Sequence, residues 1–359
     1  MDIRIERTLR PKAKPDWNHL TFGHYYTDHM FVVDYTKGRG WHDSRITPYA
    51  PLSLDPAAMV FHYAMEVFEG LKAYAARDGR ILLFRPWENA RRINASAARL
   101  CMPAFPEDDF LEGLKELVGI DTDWIPRLPD TSLYLRPFMI ATEPHLGVRT
   151  SSSFQFIIIA SPVGAYYPEG LNPVKIYLED EYVRAVKGGT GFTKCGGNYA
   201  ASIIAQKKAE DLGFTQVLWL DGVEKKYIEE VGAMNVMFQI GNEVITPELG
   251  GSILPGVTRS SVIEMLKSWN VPTSERRISL DELYSAAKSG TLKEAFGTGT
   301  AAAISPIGAF GINGELLQVA DGGIGPLSRR IYDTLTGIQW GNLPDPFDWT
   351  CEVKSAPAA

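Results

Sequence analysis

Cysteine is scarce, with only Cys101, Cys195 and Cys351 in 359 residues. Three widely separated thiols cannot all pair, which argues against a disulfide framework and leads us to expect a reducing, cytoplasmic setting. Long apolar runs are also lacking. The most apolar stretch, Phe154 to Ala160, stops at Ser161-Pro162, which suits a buried strand better than a membrane span. Met1 to Arg7 holds no extended apolar segment, so no secretory leader is expected there. There is no surplus of positive charge either: 36 Lys and Arg stand against 43 Asp and Glu, for a net charge of -7. Nucleic acid or an anionic membrane would repel such a chain, which leaves small metabolites as the natural ligands.

What the chain has is an ordinary globular balance, 45% hydrophobic and 22% charged residues, over a length that suits two domains. Its most distinctive stretch is Gly188-Gly-Thr-Gly-Phe-Thr-Lys-Cys-Gly-Gly-Asn-Tyr199. Glycines and threonines around Lys194 leave little side-chain bulk, so a planar ligand can lie close to the backbone. A lysine in a partly dehydrated pocket loses basicity and can form a Schiff base with a carbonyl cofactor. The plainer alternative is a solvated lysine in a glycine loop. A phosphate-cradling P-loop fits badly, because Thr193 stands where that motif needs its second glycine and Cys195 where it needs Ser or Thr.

Around this stretch the pattern alternates strands and helices. Thr27 to Tyr35 reads as a strand, followed by a polar, proline-bearing connection from Lys37 to Pro56. An Asp78-Gly79 turn joins Ala75 to Ile81-Leu-Leu-Phe84 as a hairpin. Asn89 to Leu100 and Glu107 to Ile120 read as helices, and Ser132 to Ile140 and Ser153 to Ile159 as strands. Residues 164–173 concentrate Gly, Pro and aromatics as a linker does, so the expected domains are 1–163 and 174–359. Beyond Lys194 a helix is expected with Asn198 as its N-cap and Gly213 at its C-terminal end. Gln216 to Leu220 and Lys226 to Glu230 then form an antiparallel pair. Glu229 and Glu230 point to opposite faces there, so that one can be buried while the other is solvated. Gly241-Asn242 turns a further hairpin, and Leu254 to Ile263 enters a helix whose start favours an anion at Val257 and Thr258.

Several motifs occur in one order: Phe61-His-Tyr-Ala-Met-Glu-Val-Phe-Glu-Gly-Leu-Lys72, Arg85-Pro-Trp-Glu-Asn-Ala-Arg-Arg92, Tyr134-Leu-Arg-Pro137, Lys194-Cys-Gly-Gly-Asn-Tyr199, Glu230-Val-Gly-Ala-Met-Asn235 and Gly297-Thr-Gly-Thr-Ala301. From about Phe22 to about Trp340 this series resembles the branched-chain aminotransferases, class IV enzymes that use pyridoxal 5'-phosphate. The resemblance implies an α/β (α+β) protein of fold-type IV. Its small N-terminal α/β domain precedes a larger C-terminal domain with an antiparallel-rich sheet, and the cofactor lies at their interface. It also implies reversible transamination of leucine, isoleucine and valine with 2-oxoglutarate, by way of a Schiff base on Lys194.

By the same resemblance, Arg92, Val257, Thr258 and Thr300 would hold the cofactor phosphate, Tyr199 its phenolic oxygen and Glu230 its ring nitrogen. Phe22, Tyr63, Phe68, Tyr134 and Ala233 would line an apolar substrate pocket. Arg136 would meet the side-chain carboxylate of glutamate, and amides around Thr300 and Ala301 the substrate carboxylate. Leu146 and Val148 would reach into the partner subunit of a homodimer. Some relatives carry a redox Cys-x-x-Cys whose positions are Ala302 and Ser305 here, so that thiol switch is not expected. Within the same fold the rival is a D-amino-acid aminotransferase or a pyridoxal-phosphate lyase. Outside this catalytic group stands a metabolite-binding protein without turnover.

Overall fold

The computed structural model describes residues 1–164 and 171–354. The chain divides into two compact units. One holds Met1–Tyr166, Thr193–Gly196 and Gly337–Ala359, and the other Tyr167–Phe192 and Gly197–Thr336. Against the expected 174–359 domain, the lysine tetrapeptide and the C-terminal segment count with the first unit. The reason for the C-terminal segment is visible in the sheet: Thr350–Val353 pairs antiparallel with Ile81–Phe84 and buries Val353 and Trp349. Of the expected linker 164–173, residues 165–170 lie outside the described residues.

The first unit is built on a nine-stranded sheet whose long central strands are Ser132–Ala141 and Ser153–Val163. They pair antiparallel in unbroken register from Ser132↔Val163 to Ala141↔Phe154. Phe154, Phe156, Ile158 and Ala160 alternate along one of them and face the core with Phe31, Phe105 and Phe110, the period-two pattern of a half-buried strand. Helices Pro86–Arg99 and Glu107–Ile120 contribute Ile93, Ala97, Phe110 and Leu114 to that core. The Asp78-Gly79 hairpin is present, with Gly79 at φ +92°, a conformation that suits glycine. The connection read from Lys37 to Pro56 instead contains a strand, Gly40–Pro48, paired with His29–Thr36. Its polar residues belong to a face left half-exposed, while Ile46 is buried.

The second unit has its own nine-stranded sheet. Antiparallel pairs predominate, with parallel pairs at Val174–Glu179 and at Glu243–Thr246. Both expected antiparallel pairs in this unit are present: Gln216–Leu220 pairs with Ile228–Val231, and Met234–Ile240 with Glu243–Thr246 across Gly241-Asn242. The helix after the lysine runs Gly196–Asp211, and Gly213 at φ +81° follows its end as a C-terminal glycine should. Asn198 is not its N-cap. It lies inside the first turn, where its Nδ2 donates to the Thr190 carbonyl at 2.8 Å and its Oδ1 accepts from the Thr190 hydroxyl at 2.7 Å. The side chain therefore ties the glycine loop to the helix.

Candidate active site

In the first unit the sheet and one helix bring several expected site residues together. Phe68 and Arg136 lie on neighbouring elements of the sheet, and the Arg136 guanidinium carbon stands 4.8 Å from the Phe68 ring centre. The Lys194 Nζ stands 4.6 Å from that same ring. Tyr134 and Arg136 are two residues apart on one strand and so share a face; Arg136 Nη2 donates to the Tyr134 hydroxyl at 3.1 Å. Phe22 packs edge-on against Tyr134 with centroids 4.8 Å apart. A Cβ at Gly70 would fall 2.0 Å from the Tyr134 hydroxyl oxygen, so only glycine lets that hydroxyl approach the chain here. The Arg136 Nε is buried without a hydrogen-bond partner, which leaves this guanidinium able to receive a further acceptor.

The helix Pro86–Arg99 supplies the other wall. Asn89, Arg92 and Ser96 fall at i, i+3 and i+7, on one face, and all three are buried. Arg92 makes a two-pronged ion pair with Glu69, Nε to Oε1 at 2.7 Å and Nη2 to Oε2 at 2.8 Å. Asn89 Nδ2 donates to the same Oε2 at 2.8 Å. The Ser96 hydroxyl accepts the Lys194 backbone N–H at 2.9 Å, and the Lys194 carbonyl accepts from Phe68 N–H at 2.9 Å. Gly196 N–H donates to the Glu66 carboxylate, and a Cβ at Gly196 would strike that carboxylate at 2.0 Å. The lysine backbone is therefore clamped on both sides. Burial lowers the Lys194 pKa to about 8; Arg92 and Arg136 add to the drop, while Glu69 and Tyr134 oppose it. A useful share of the amine is neutral near physiological pH. Tyr63 and Phe68 are half-buried, and the Tyr63 hydroxyl donates to the Leu146 carbonyl. Leu146 and Val148 themselves are 67% and 85% exposed.

The second unit gathers a different set. One rung of its sheet places Glu230 opposite Asn235, and Asn235 opposite Thr298. Arg184 Nε lies 2.5 Å from Glu230 Oε2, and Asn235 Nδ2 donates to Oε1 at 2.9 Å. Tyr199, Glu230, Ala233, Arg184 and Asn198 line one cavity of about 20 Å³. Asn235 also donates to the Leu254 carbonyl at 2.9 Å, and a Cβ at Gly256 would meet Asn235 Oδ1 at 2.1 Å. The helix Val257–Ser268 begins directly after this glycine with no side-chain cap, and Val257 and Thr258 are buried in its first turn. Such a helix start favours an anion. Thr300 and Ala301 are half-buried in the turn between Leu292–Gly299 and Ala303–Ile312.

The expectation that one of Glu229 and Glu230 is solvated is corrected: they are 9% and 3% exposed. Opposite faces of the strand are indeed used, but both are covered. Glu229 accepts from the Ser252 hydroxyl, and burial raises its pKa. It lines a larger cavity of about 350 Å³ together with Tyr227, Ser252 and Arg277. None of the expected site residues lines that space.

A family model for "Amino-transferase class IV" matches residues 66–310. The chain belongs to the class IV aminotransferases. It is 58% identical to branched-chain-amino-acid aminotransferase 2 of Bacillus subtilis, over 98% of this chain and 97% of that protein. It is 48% identical to the branched-chain-amino-acid aminotransferase of Mycolicibacterium smegmatis, over 93% and 92%. Among solved structures, the branched-chain amino acid aminotransferase of Escherichia coli matches with a TM-score of 0.76 at 25% identity, covering 90% of this chain and 99% of that one. A second branched-chain amino acid aminotransferase, from T.th. and solved with pyridoxamine 5'-phosphate, matches with a TM-score of 0.73, also at 25% identity, over 90% and 98%. As a class IV aminotransferase, the protein is an enzyme of two α/β units.

Sequence reading missed Glu69, Asn89, Ser96, Glu66, Arg184 and Asn235. For the helix residues a signal was present: Asn89, Arg92 and Ser96 are polar positions on the inward face of an Ala-rich helix, where polar groups need partners.

Proposed function

We propose that this class IV aminotransferase exchanges the amino group of leucine, isoleucine or valine with 2-oxoglutarate, using pyridoxal 5'-phosphate. The observation that carries the reading is the half-buried Lys194 amine, with its pKa lowered to about 8 among Arg92, Glu69, Tyr134 and Arg136. It occurs in a chain whose relatives at 58% and 48% identity are named for that activity. The residues suit the cofactor: an amine kept partly neutral, a buried carboxylate with charged and amide donors, and a helix start without a side-chain cap. When bound, pyridoxal phosphate supplies an electron sink for the bonds of the substrate Cα.

Every other task falls to the chain. Lys194 anchors the cofactor and, once released, is a neutral amine able to carry the proton of the substrate Cα. Arg92, Val257, Thr258 and Thr300 would bind the phosphate, Tyr199 would donate to the phenolic oxygen, and Glu230 would hold the ring nitrogen. Phe22, Tyr63, Phe68, Tyr134 and Ala233 form the apolar surface for the substrate side chain. Such a surface separates substrates that differ by one methylene by only about 1–3 kcal/mol, so all three branched-chain acids react. Arg136 takes the distal carboxylate of glutamate, and the Thr300 and Ala301 amides take the α-carboxylate. The working form is a homodimer in the cytoplasm, and the exposed apolar Leu146 and Val148 are the side chains offered to a second subunit. Among the described residues no helix is long and apolar enough to cross a membrane.

The visible spectrum of the purified protein, incubated with pyridoxal phosphate and then given L-leucine without an oxo acid, tests this reading. A yellow band that collapses on adding leucine is expected. A band unmoved by leucine but moved by D-alanine would favour a D-amino-acid enzyme. A protein that stays colourless after the incubation overturns the proposal.

A further inference from the structure

Glu69 is fully buried, a costly place for a carboxylate unless its charge is paired and hydrogen-bonded. Its oxygens are taken up by the Nε and Nη2 of Arg92, by Asn89 Nδ2 and, at 3.2 Å, by the Gly70 N–H. A two-pronged pair fixes the plane and the rotation of a guanidinium, which a single hydrogen bond does not. Asn89 and Arg92 come from one helix face, while Glu69 follows directly on the strand Glu66–Phe68. The carboxylate is thus the point where helix and sheet agree on where Arg92 stands. Phe68, the residue before it, holds the Lys194 carbonyl through its N–H and lies under the Lys194 amine.

Resting on the function proposed above, we propose that Glu69 is a positioning residue of the active site, locking the Arg92 guanidinium in the orientation that receives a phosphate and balancing the positive charge around the Lys194 amine. Groups that act on that amine include Arg92 and Arg136, both positive, with Tyr134 and Glu69 opposing them; Glu66 holds the neighbouring Gly196 N–H. Glu69 is a carboxylate that acts directly on the amine. A purely structural role would predict that Glu69 does no more than neutralise a buried arginine, with changes confined to stability.

Two variants separate the roles. Glu69→Gln keeps the size and removes the charge; Glu69→Asp keeps the charge and loses the reach needed for both prongs. The readouts are the dissociation constant for pyridoxal phosphate, from absorbance titration of the protein freed of cofactor, and the pH midpoint of the visible absorption change of the loaded protein. For Glu69→Gln we expect affinity weaker by on the order of tenfold to a hundredfold and a midpoint lower by about one pH unit. Glu69→Asp should weaken affinity on the same scale while its midpoint stays within about 0.3 of the wild type, since an opposite charge remains nearby. If Glu69→Gln does not fold, Glu69→Asp carries the test alone. Wild-type affinity and midpoint in a folded variant, with only the melting temperature lowered, would overturn the assignment. If the unaltered protein binds no pyridoxal phosphate, the function proposed above fails instead, and the two failures are thereby distinguished.

Discussion

The cluster around Lys194 in the first unit and the cluster around Glu230 in the second treat their central charge in opposite ways. In the first, an amine sits among two guanidiniums, a tyrosine and a carboxylate, and loses basicity, with its pKa lowered to about 8. In the second, the Glu230 carboxylate sits against the Arg184 guanidinium and the Asn235 amide, an arrangement that compensates a buried negative charge. One site element discourages charge and the other supports it. Transamination chemistry uses both kinds of group, a partly neutral amine as nucleophile and base and a fixed anion. The difference also predicts where stability is at stake: a half-buried lysine can be removed at little cost, while a buried ion pair cannot be halved.

The largest effect should come from Lys194→Ala. Loss of the nucleophile and base is expected to slow the leucine half-reaction by on the order of 10⁴-fold, followed by stopped-flow absorbance, with a melting temperature close to that of the wild type. Glu230→Ala comes next and should break the symmetry. It takes the paired carboxylate from the buried Arg184, which costs up to about 3–5 kcal/mol, so both the turnover and the melting temperature should fall. A Glu230→Ala protein that melts like the wild type would show that the pair with Arg184 contributes little.

Arg136→Ala gives a smaller, directional effect. Its guanidinium already uses Nη2 on Tyr134 while Nε is unpartnered, so the arginine has capacity for a ligand carboxylate. Single-turnover rates should drop by on the order of tenfold to a hundredfold with glutamate and much less with leucine. Equal losses in the two half-reactions would count against this role. A companion measurement sharpens the contrast between the units: cofactor uptake by the stripped wild-type protein should rise with pH about a midpoint near 8. Below it the amine is protonated and cannot attack, and an uptake rate still climbing steadily above pH 10 would mean a solvated lysine.

Much of this arrangement was legible in the chain. Glu107–Ile120 is a helix over the expected residues, because its apolar positions recur with helical period and acidic residues fill its first turn. The two turns at Asp78-Gly79 and Gly241-Asn242 announce themselves through residues that tolerate positive φ. What was not legible depends on tertiary partners. Gly40–Pro48 looks like a loop in sequence because its polar side chains line a partly exposed face, and only pairing with His29–Thr36 makes it a strand. Asn198 has the chemistry of an N-cap, but its hydrogen bonds run to Thr190 instead. The Glu69–Arg92 pair joins residues 23 positions apart, and no local pattern selects Glu69 over Glu66 as its partner.

The smallest effect, Glu229→Gln, tests whether the two faces of the Glu230 strand act independently. Burial raises the Glu229 pKa, with the Ser252 hydrogen bond and Arg184 working the other way. A carboxyl whose pKa is higher in the folded state supports folding fully below its unfolded value, and that support is lost as the pH rises through the folded value. In the wild type this contribution therefore fades upward from pH 4.5. Glutamine keeps an acceptor for the Ser252 hydroxyl and carries no charge, so the variant's melting temperature should respond less to pH over that window. At pH 7 it should equal or exceed the wild type, by no more than about 4 °C. The leucine half-reaction should stay within about twofold, because Glu229 opens towards the cavity that holds Tyr227 and Arg277 and Glu230 towards the one that holds Tyr199. A large loss of rate with an unchanged melting curve would mean that Ser252, which binds Glu229 through its hydroxyl and Arg184 through its carbonyl, transmits the change to Glu230.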